Sequence, residues 1–486
     1  MALLLLGVWG LLLLLGLWGL LQGFARDPSL APRWPPGPRP LPFLGNLHLL
    51  GVTQQDRALM ELSERYGPVF TVHLGSQKTV VLSGYEVVRE ALVGTGHELA
   101  DRPPIPIFQH IQRGGAPWRA ARQFTVRALQ GLGVRQPSMV DKVLQELACL
   151  KGQLDSYGGQ PLPLALLGWA PCNITFALVF GQRFDYRDPV FVSLLSLIDQ
   201  VMVLLGSPGI QLFNAFPRLG ALLRLHKPVL GKIEEVRTIL RTLLEARRPC
   251  LPSGGPAQSY VEALLQQGQD NDPEDMFGEA NVLACILDMV MAGTETTAAT
   301  LQWAVFLMVK YPHVQGRVQD ELDRVLGPGE LPQPEHQRVL PYTSAVLHEV
   351  QRYITLLPHV PRCTAADIQL GGYLLPKGTP VIPLLTSVLL DKTQWETPSQ
   401  FNPNHFLDAR GRFTKRGAFL PFSTGRRVCV GKSLARTELF LLFAGLLQRY
   451  HLRPPPGLSP ADLDLQPAPA FTMRPPAQTL CVVPRS

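Results

Sequence analysis

The sequence predicts a mainly α-helical protein with a minor β portion, carried behind an N-terminal transmembrane helix. Three observations lead there. Ala2 to Leu21 is an unbroken run of Leu, Gly, Trp, Val and Ala. Most of the chain beyond its first strands repeats apolar residues at helical spacing. Extended, β-branched stretches are confined to two short regions.

The apolar run comes first. About twenty residues rising 1.5 Å each cross the hydrocarbon core of a bilayer. Arg26, Arg33 and Arg39 follow it and no Lys or Arg precedes it, which favours a cytoplasmic body. A cleaved secretory signal is the alternative. Against it, the run is long, no basic stretch precedes it and no A-x-A site follows. Trp34 to Pro42 is too rich in proline for a helix and reads as a semi-rigid spacer. The expected organisation is an anchor at 1–22, a proline-rich linker at 23–45 and a folded body at 46–486.

Within the body, Val69–Leu74, a turn at Gly75–Lys78 and Thr79–Leu82 read as a β-hairpin. Helical spacing covers Val140–Leu154, Ile233–Arg247, Pro312–Leu326 and Thr343–Tyr353. Tyr373–Leu385 returns to short extended pieces, and Gly254-Gly255-Pro256 reads as a surface loop. Glu279–Tyr311 is apolar on every side except at Asp288, Glu295 and Gln302. Charges at the middle of a membrane span are costly, so this is a buried core helix rather than a second span. The sequon Asn173-Ile174-Thr175 lies among Trp169, Phe176 and Leu178 and reads as part of a buried helix.

Composition narrows the function. The 486 residues carry a net charge of +7, with no long basic run to suggest nucleic acid. Seven scattered cysteines, none in a C-x-x-C pair, do not make a disulfide framework. There is no G-x-G-x-x-G and no P-loop, so no nicotinamide or flavin site is expected.

One cysteine is framed unlike the others. Cys429 lies in Phe422-Ser423-Thr424-Gly425-Arg426-Arg427-Val428-Cys429-Val430-Gly431. Glycines admit close backbone approach to something large and flat. Nearby N–H groups and positive charge compensate a thiolate. With no second ligand near, zinc is a poor fit, whereas a single axial bond to haem iron is a good one. The plain alternative is a Gly-rich turn around an inert buried cysteine.

The stretch resembles the haem-binding signature of the cytochrome P-450 monooxygenases, Phe-x-x-Gly-x-Arg-x-Cys-x-Gly. Phe422, Gly425, Arg427, Cys429 and Gly431 fill each defined position. The resemblance implies the P-450 fold and haem b with Cys429 as axial thiolate.

Further motifs extend it. In Ala292-Gly293-Thr294-Glu295-Thr296-Thr297, Ala292, Glu295 and Thr296 share a helix face. Gly293 costs a helix about 1 kcal/mol and leaves room for a small ligand beside an opened turn. The plain alternative is a polar patch with a kink. The resemblance makes this the oxygen-activating segment, with Glu295 and Thr296 as the proton-delivery pair. Glu349 and Arg352 are an i, i+3 pair, on its own a weak surface salt bridge. The resemblance gives them a structural role as a core lock completed from Phe401–Phe406, where His405 stands at a position that is Arg in many relatives. His348-Glu349 lacks the second His of a zinc helix.

By the same match, Trp118 and Arg122 bind haem propionates, with Arg102, Arg362 and Arg427 at similar family positions. Guanidinium suits that carboxylate pairing. Ile107, Phe108, Ala292, Leu356 and Phe471 fall at pocket-wall positions, where core packing is the plain alternative. Electrons are implied to come from NADPH only indirectly, through NADPH–cytochrome P-450 reductase, with cytochrome b5 a second candidate donor. Arg127, Lys142, Arg426 and Lys432 could dock such an acidic flavoprotein.

The likeness runs from the apolar start to Phe471-Thr472-Met473-Arg474-Pro475 and looks like microsomal family 2, most like its W subfamily. It implies an endoplasmic reticulum membrane protein with a cytosolic body, oxidising small apolar substrates such as xenobiotics, lipids or retinoids. A haem sensor or carrier without turnover and an oxygen-independent haem isomerase are the other readings; the intact Glu295-Thr296 pair argues against both. The chain departs from the family before Trp118. Relatives carry a segment like Gly-Ile-Phe-Phe-Ser-Ser-Gly there, whereas Arg113-Gly114-Gly115-Ala116-Pro117 runs straight into Trp118. The expected consequence is an altered pocket wall and altered placement of Trp118.

Overall fold

A computed structural model describes residues 34–51, 54–111, 118–133, 137–250, 255–269, 277–327 and 329–485. The expected anchor, the first part of the linker and the departure before Trp118 lie outside the described residues. The chain forms two units. One comprises residues up to Pro103 together with His359–Leu384; the other comprises Pro104–Pro358 with Leu385–Ser486.

The first unit is built on a sheet. Val69–Leu74 and Gln77–Leu82 pair antiparallel, with Leu74 opposite Gln77, so the hairpin forms as expected with a tighter turn. Pro380–Pro383 adds in parallel beside Gln77–Leu82, and Arg362–Cys363 pairs antiparallel on its far side. Helix α1 (Gln55–Tyr66) packs near the hairpin, where Leu59, Phe70, Val72 and Val81 join one buried cluster. The described half of the proline segment is no free spacer. Pro36 O accepts from Thr71 N–H at 2.8 Å and Pro35 O from Thr71 Oγ1 at 2.9 Å. Any Cβ on Gly37 would fall 2.0 Å from Thr71 O, so only glycine lets the segment lie along the strand.

The second unit is mostly helix. In order it holds α2 (Trp118–Gly131), α3 (Pro137–Asp155), α4 (Trp169–Phe180), α5 (Pro189–Leu205), α6 (Pro208–Ala215), α7 (Lys227–Arg247), α8 (Tyr260–Gln269), α9 (Glu279–Lys310), α10 (Pro312–Val325), α11 (Pro341–Ile354) and α12 (Lys432–Arg449). Starts and stops follow local chemistry. Asp188 caps α5, its Oδ1 accepting from Val190 N–H at 2.7 Å, with Pro189 at the first helical position. Gly181, at φ +73°, ends α4. A small antiparallel sheet joins Pro161–Pro163, Thr479–Pro484 and Tyr450–Arg453.

Helix α9 is the axis of this unit. It packs against α4, α7, α11 and α12, and most of its 32 residues are buried, including Trp303, Phe306 and Leu307. That burial answers the question of a second span: the apolar surface meets protein. Asn173 on α4 is fully buried, its amide donating to Phe184 O at 2.8 Å and to Glu146 Oε1 at 3.2 Å.

Candidate active site

The thiolate loop is shaped by its backbone. Ser423 and Gly425 both take positive φ, 59° and 71°, and a short turn at Gly425–Arg427 leads to Cys429. Cys429 N–H closes the loop onto Phe422 O at 3.0 Å. Helix α12 begins three residues later, and the first N–H groups of a helix have no partner within it. The N–H groups of Gly431, at the helix cap, and of Lys432, its first residue, act on the Cys429 sulfur, and Lys432 N–H also reaches Cys429 O at 3.4 Å. Burial raises the thiol above its ordinary range, while those N–H groups and the charges of Arg122 and Lys432 oppose the rise. The side chain nonetheless reaches open space.

Arginines and Trp118 form the rim. From α2, Arg122 Nη2 donates to Val428 O at 2.6 Å and to Arg426 O at 3.3 Å, tying the helix to the loop. Arg427 lies over the Trp118 ring with its guanidinium carbon 3.2 Å from the centroid, a contact of about 1–2 kcal/mol when partly desolvated. Phe422 is half-buried under Arg436, 5.6 Å away. Arg127 and Arg426 are exposed, and Lys142 and Lys432 half-buried. In the first unit, Arg102 is exposed, whereas Arg362 is buried within its strand and donates to Pro361 O at 3.1 Å.

Halfway along α9 the burial breaks. Asp288 and Ala292 are exposed and Thr296 half-buried, spaced one turn apart along one side of the helix. Open space beside this face is what a bound planar group and a small ligand require. The helix itself stays regular: Thr296 Oγ1 donates to Ala292 O at 2.8 Å, and no opened turn interrupts it. Gly293 therefore has another reason than a locally opened helix. A Cβ there would stand 2.7 Å from Thr175 Oγ1, so the glycine lets α4 and α9 approach.

Glu295 turns away from that face. Its Oε1 accepts from Thr472 Oγ1 at 2.5 Å and from Arg474 Nε at 2.6 Å, and its Oε2 accepts from Arg474 Nη2 at 2.6 Å. Arg474 also pairs with Asp199 of α5. Sequence reasoning placed Arg474 in the family-like stretch Phe471–Pro475 but gave it no role, and it missed Asp199, which carries no motif.

The Glu349–Arg352 pair is no surface bridge. Both side chains are wholly buried, and Arg352 gives Nε and Nη2 to the two Glu349 oxygens at 2.7 Å each. The rest of the guanidinium meets the carbonyls of Leu389, Pro398 and Gln400, each at 2.8 Å. Asn402 N–H and His405 Nδ1 complete Glu349, at 2.7 and 3.1 Å. Thr397 N–H donates to His405 Nε2 at 3.2 Å, which leaves Nδ1 to carry the proton that Glu349 accepts.

The expected pocket residues divide. Ile107 is packed into the core beside α6, its N–H bound by Asn214. Phe108 meets Phe471 edge to face at 6.0 Å. Phe471 and Ala292 are exposed, and Leu356 is half-buried, its carbonyl accepting from Met473 N–H at 3.0 Å.

The donor set fits haem. One solvent-reaching sulfur backed by two N–H groups suits an axial bond to iron, the cationic rim suits carboxylates, and the bare Ala292–Thr296 face suits a flat neighbour.

Comparison with known proteins agrees. The family model described as Cytochrome P450 matches residues 35–482. The chain is 92% identical over 493 aligned residues to Cytochrome P450 2W1 of Mus musculus, covering all of both chains. It is 76% identical to Cytochrome P450 2W1 of Homo sapiens, covering 99% of this chain and 98% of the human protein. Cytochrome P450 2K6 of Danio rerio is 41% identical over 92% of this chain and 90% of its own.

Proposed function

This chain belongs to the cytochrome P450 family, within family 2 and its W subfamily, and we propose from that premise that Cys429 holds the haem and that Glu295 and Thr296 manage its protons. The chain is a P450 monooxygenase, an oxidoreductase whose cofactor is haem b bound through a cysteine thiolate. Bound in the site, haem supplies the electron and oxygen chemistry that no side chain there provides.

The residues would divide the remaining work. Cys429 donates its thiolate, steadied by the Gly431 and Lys432 N–H groups. Trp118, Arg122 and Arg427 in the second unit, with Arg102 and Arg362 in the first, are the candidate partners of the propionates. Phe422 and Gly431 frame the thiolate, and Glu349, Arg352 and His405 hold the core beneath it. Thr296 offers a hydroxyl on the open face of α9, and Glu295 is the acid next to it. A hydroxyl and a carboxyl joined by water relay protons efficiently when held in reach.

The substrate class we propose is small and apolar: xenobiotics, lipids, retinoids or similar. Phe108, Phe471, Leu356 and Ala292 support it as apolar side chains near open space, with Ile107 behind them. Electrons would come from NADPH through the cytochrome P450 reductase, with cytochrome b5 as an alternative donor, docked on Arg127, Lys142, Arg426 and Lys432. The anchor at 1–22 and linker from 23 would place the body at the cytosolic face of the endoplasmic reticulum.

One observation carries the oxygenase reading: a compensated cysteine that reaches open space, in a unit whose central helix leaves Ala292 exposed and Thr296 half-buried. Full-length protein with reductase, NADPH and isotopically labelled dioxygen should yield products bearing the label from a panel of apolar compounds. Ligand binding without labelled product from any of them would support a haem sensor instead. Rearranged product without the label would support an isomerase.

A further inference from the structure

The acid of the proton-delivery pair is fully engaged away from its alcohol. Successive helical residues diverge by about 100°. Thr296 therefore keeps to the Ala292 side of α9, while Glu295 enters a cleft of about 940 Å³ shared with Leu195, Ile198, Asp199 and Gln302. There both its oxygens are taken by Arg474 and Thr472. Arg474 is itself divided. Its Nε and Nη2 serve Glu295 and its Nη1 serves Asp199, whose side chain is 63% exposed against 8% for Glu295. Burial alone would lower the pKa of the Arg474 guanidinium, and Glu295 and Asp199 more than reverse that, leaving it raised. A planar guanidinium has fixed donor directions, so the share given to one carboxylate limits what the other receives.

We propose that Arg474 is a positioning residue: it holds the Glu295 carboxylate in the cleft, out of line with Thr296, and frees it by resting on Asp199 alone. This rests on the reading of Glu295 and Thr296 as the proton-delivery pair. Freed, Glu295 takes a proton from the buffered water of the cleft. It then passes that proton toward Thr296 Oγ1 as Thr296 yields its own inward. Each side chain ends as it began, one proton has moved from solvent to site, and no electrons are transferred. Asp199 lies on α5 and Arg474 on the C-terminal segment, so the position of those two elements sets how often the acid is available.

The test uses full-length, haem-loaded protein with reductase and NADPH, comparing wild type with R474Q, R474K, D199N and E295Q. Variants are compared at equal intensity of the thiolate–haem band. A water-soluble carbodiimide with glycine ethyl ester, read by peptide mass spectrometry, reports whether Glu295 is free. R474Q should label Glu295 several-fold more than wild type, R474K should restore protection, and D199N should label it less. The ratio of NADPH oxidation rates in ordinary and heavy water should fall in R474Q and rise in D199N. Equal labelling in wild type and R474Q overturns the clamp. Greater labelling with an unchanged isotope ratio overturns its control of proton supply. A peroxide yield and isotope ratio unaffected by E295Q would instead sink Glu295 as the acid, whatever Arg474 does.

Discussion

The Cys429 loop and the Glu295 cluster each hold one acidic side chain, and they recruit its partners over opposite distances. The Cys429 sulfur is met by N–H groups two and three residues along the chain. Glu295 is met by Thr472 and Arg474, 177 and 179 residues away. A locally built site survives small shifts between elements, because its donors move with it. A site built from distant elements exists only while those elements stay docked, and its carboxylate can be released by moving them. The contrast suits the two proposed tasks: a metal ligand must stay fixed, whereas a proton carrier must exchange partners.

The largest expected effect tests the local site. Cys429→Ser should abolish the thiolate–haem absorption band while leaving the circular dichroism of the helices in place. Retention of that band would move the ligand elsewhere. Next comes Glu349→Ala, which strands the wholly buried Arg352. Breaking such a pair costs about 3–5 kcal/mol. Denaturant unfolding should show that loss and haem incorporation should fall; a loss under 1 kcal/mol would return the pair to the surface-bridge reading. Thr296→Ala removes only the alcohol of the proposed relay. A positioned proton-transfer group contributes about 100- to 10,000-fold to its step, so peroxide released per NADPH should rise clearly at unchanged haem content. Equal peroxide in both proteins would take Thr296 out of the reaction.

These differences also explain what was legible beforehand. Phe422–Gly431 could be read because its geometry is local: five residues at fixed offsets fold the same turn wherever they stand. The pairing of Glu349 with Arg352 was visible as an i, i+3 spacing, but its burial was not. That depends on Leu389, Pro398 and Gln400 bringing their carbonyls from another segment. The direction of Glu295 was hidden for the same reason, since nothing near residue 295 signals Arg474. Gly293 illustrates a half-correct inference. A glycine in a helix does signal a close approach, yet the approaching group is Thr175 of α4 rather than a ligand. Helices with strong spacing were found to within a few residues at their ends, except where α7 starts six residues before the expected Ile233. Docking of the proline segment was not legible, because chain stiffness says nothing about docking and Thr71, which docks it, lies some 35 residues away.

The smallest effect lies in pH and concerns the helices that carry the local site. Glu438 of α12 is fully buried, and burial raises its carboxyl from 4.5 to about 8. As pH rises across that window the unfolded chain gives up a proton that the folded chain keeps, so stability declines. His348 of α11 sits among Phe406, Phe413 and Phe419, and burial lowers it from 6.5 to about 4. As pH falls from 6.5 to 4 the unfolded chain takes up a proton that the folded chain refuses, and stability declines again. The two slopes oppose each other between pH 4.5 and 6.5, so melting temperature should be level there and fall on either side, already declining at neutral pH. Glu438→Gln should flatten the alkaline side and His348→Gln the acidic side. An alkaline slope unchanged in Glu438→Gln would show that this carboxyl is not the group responsible.

Every other role proposed for the site depends on haem held through a thiolate at Cys429. The most direct measurement is the absorption spectrum of the purified full-length protein, reduced under carbon monoxide. A red-shifted Soret band, absent in Cys429→Ser, is the predicted result. Haem bound without that shift, or no haem bound at all, would contradict the account.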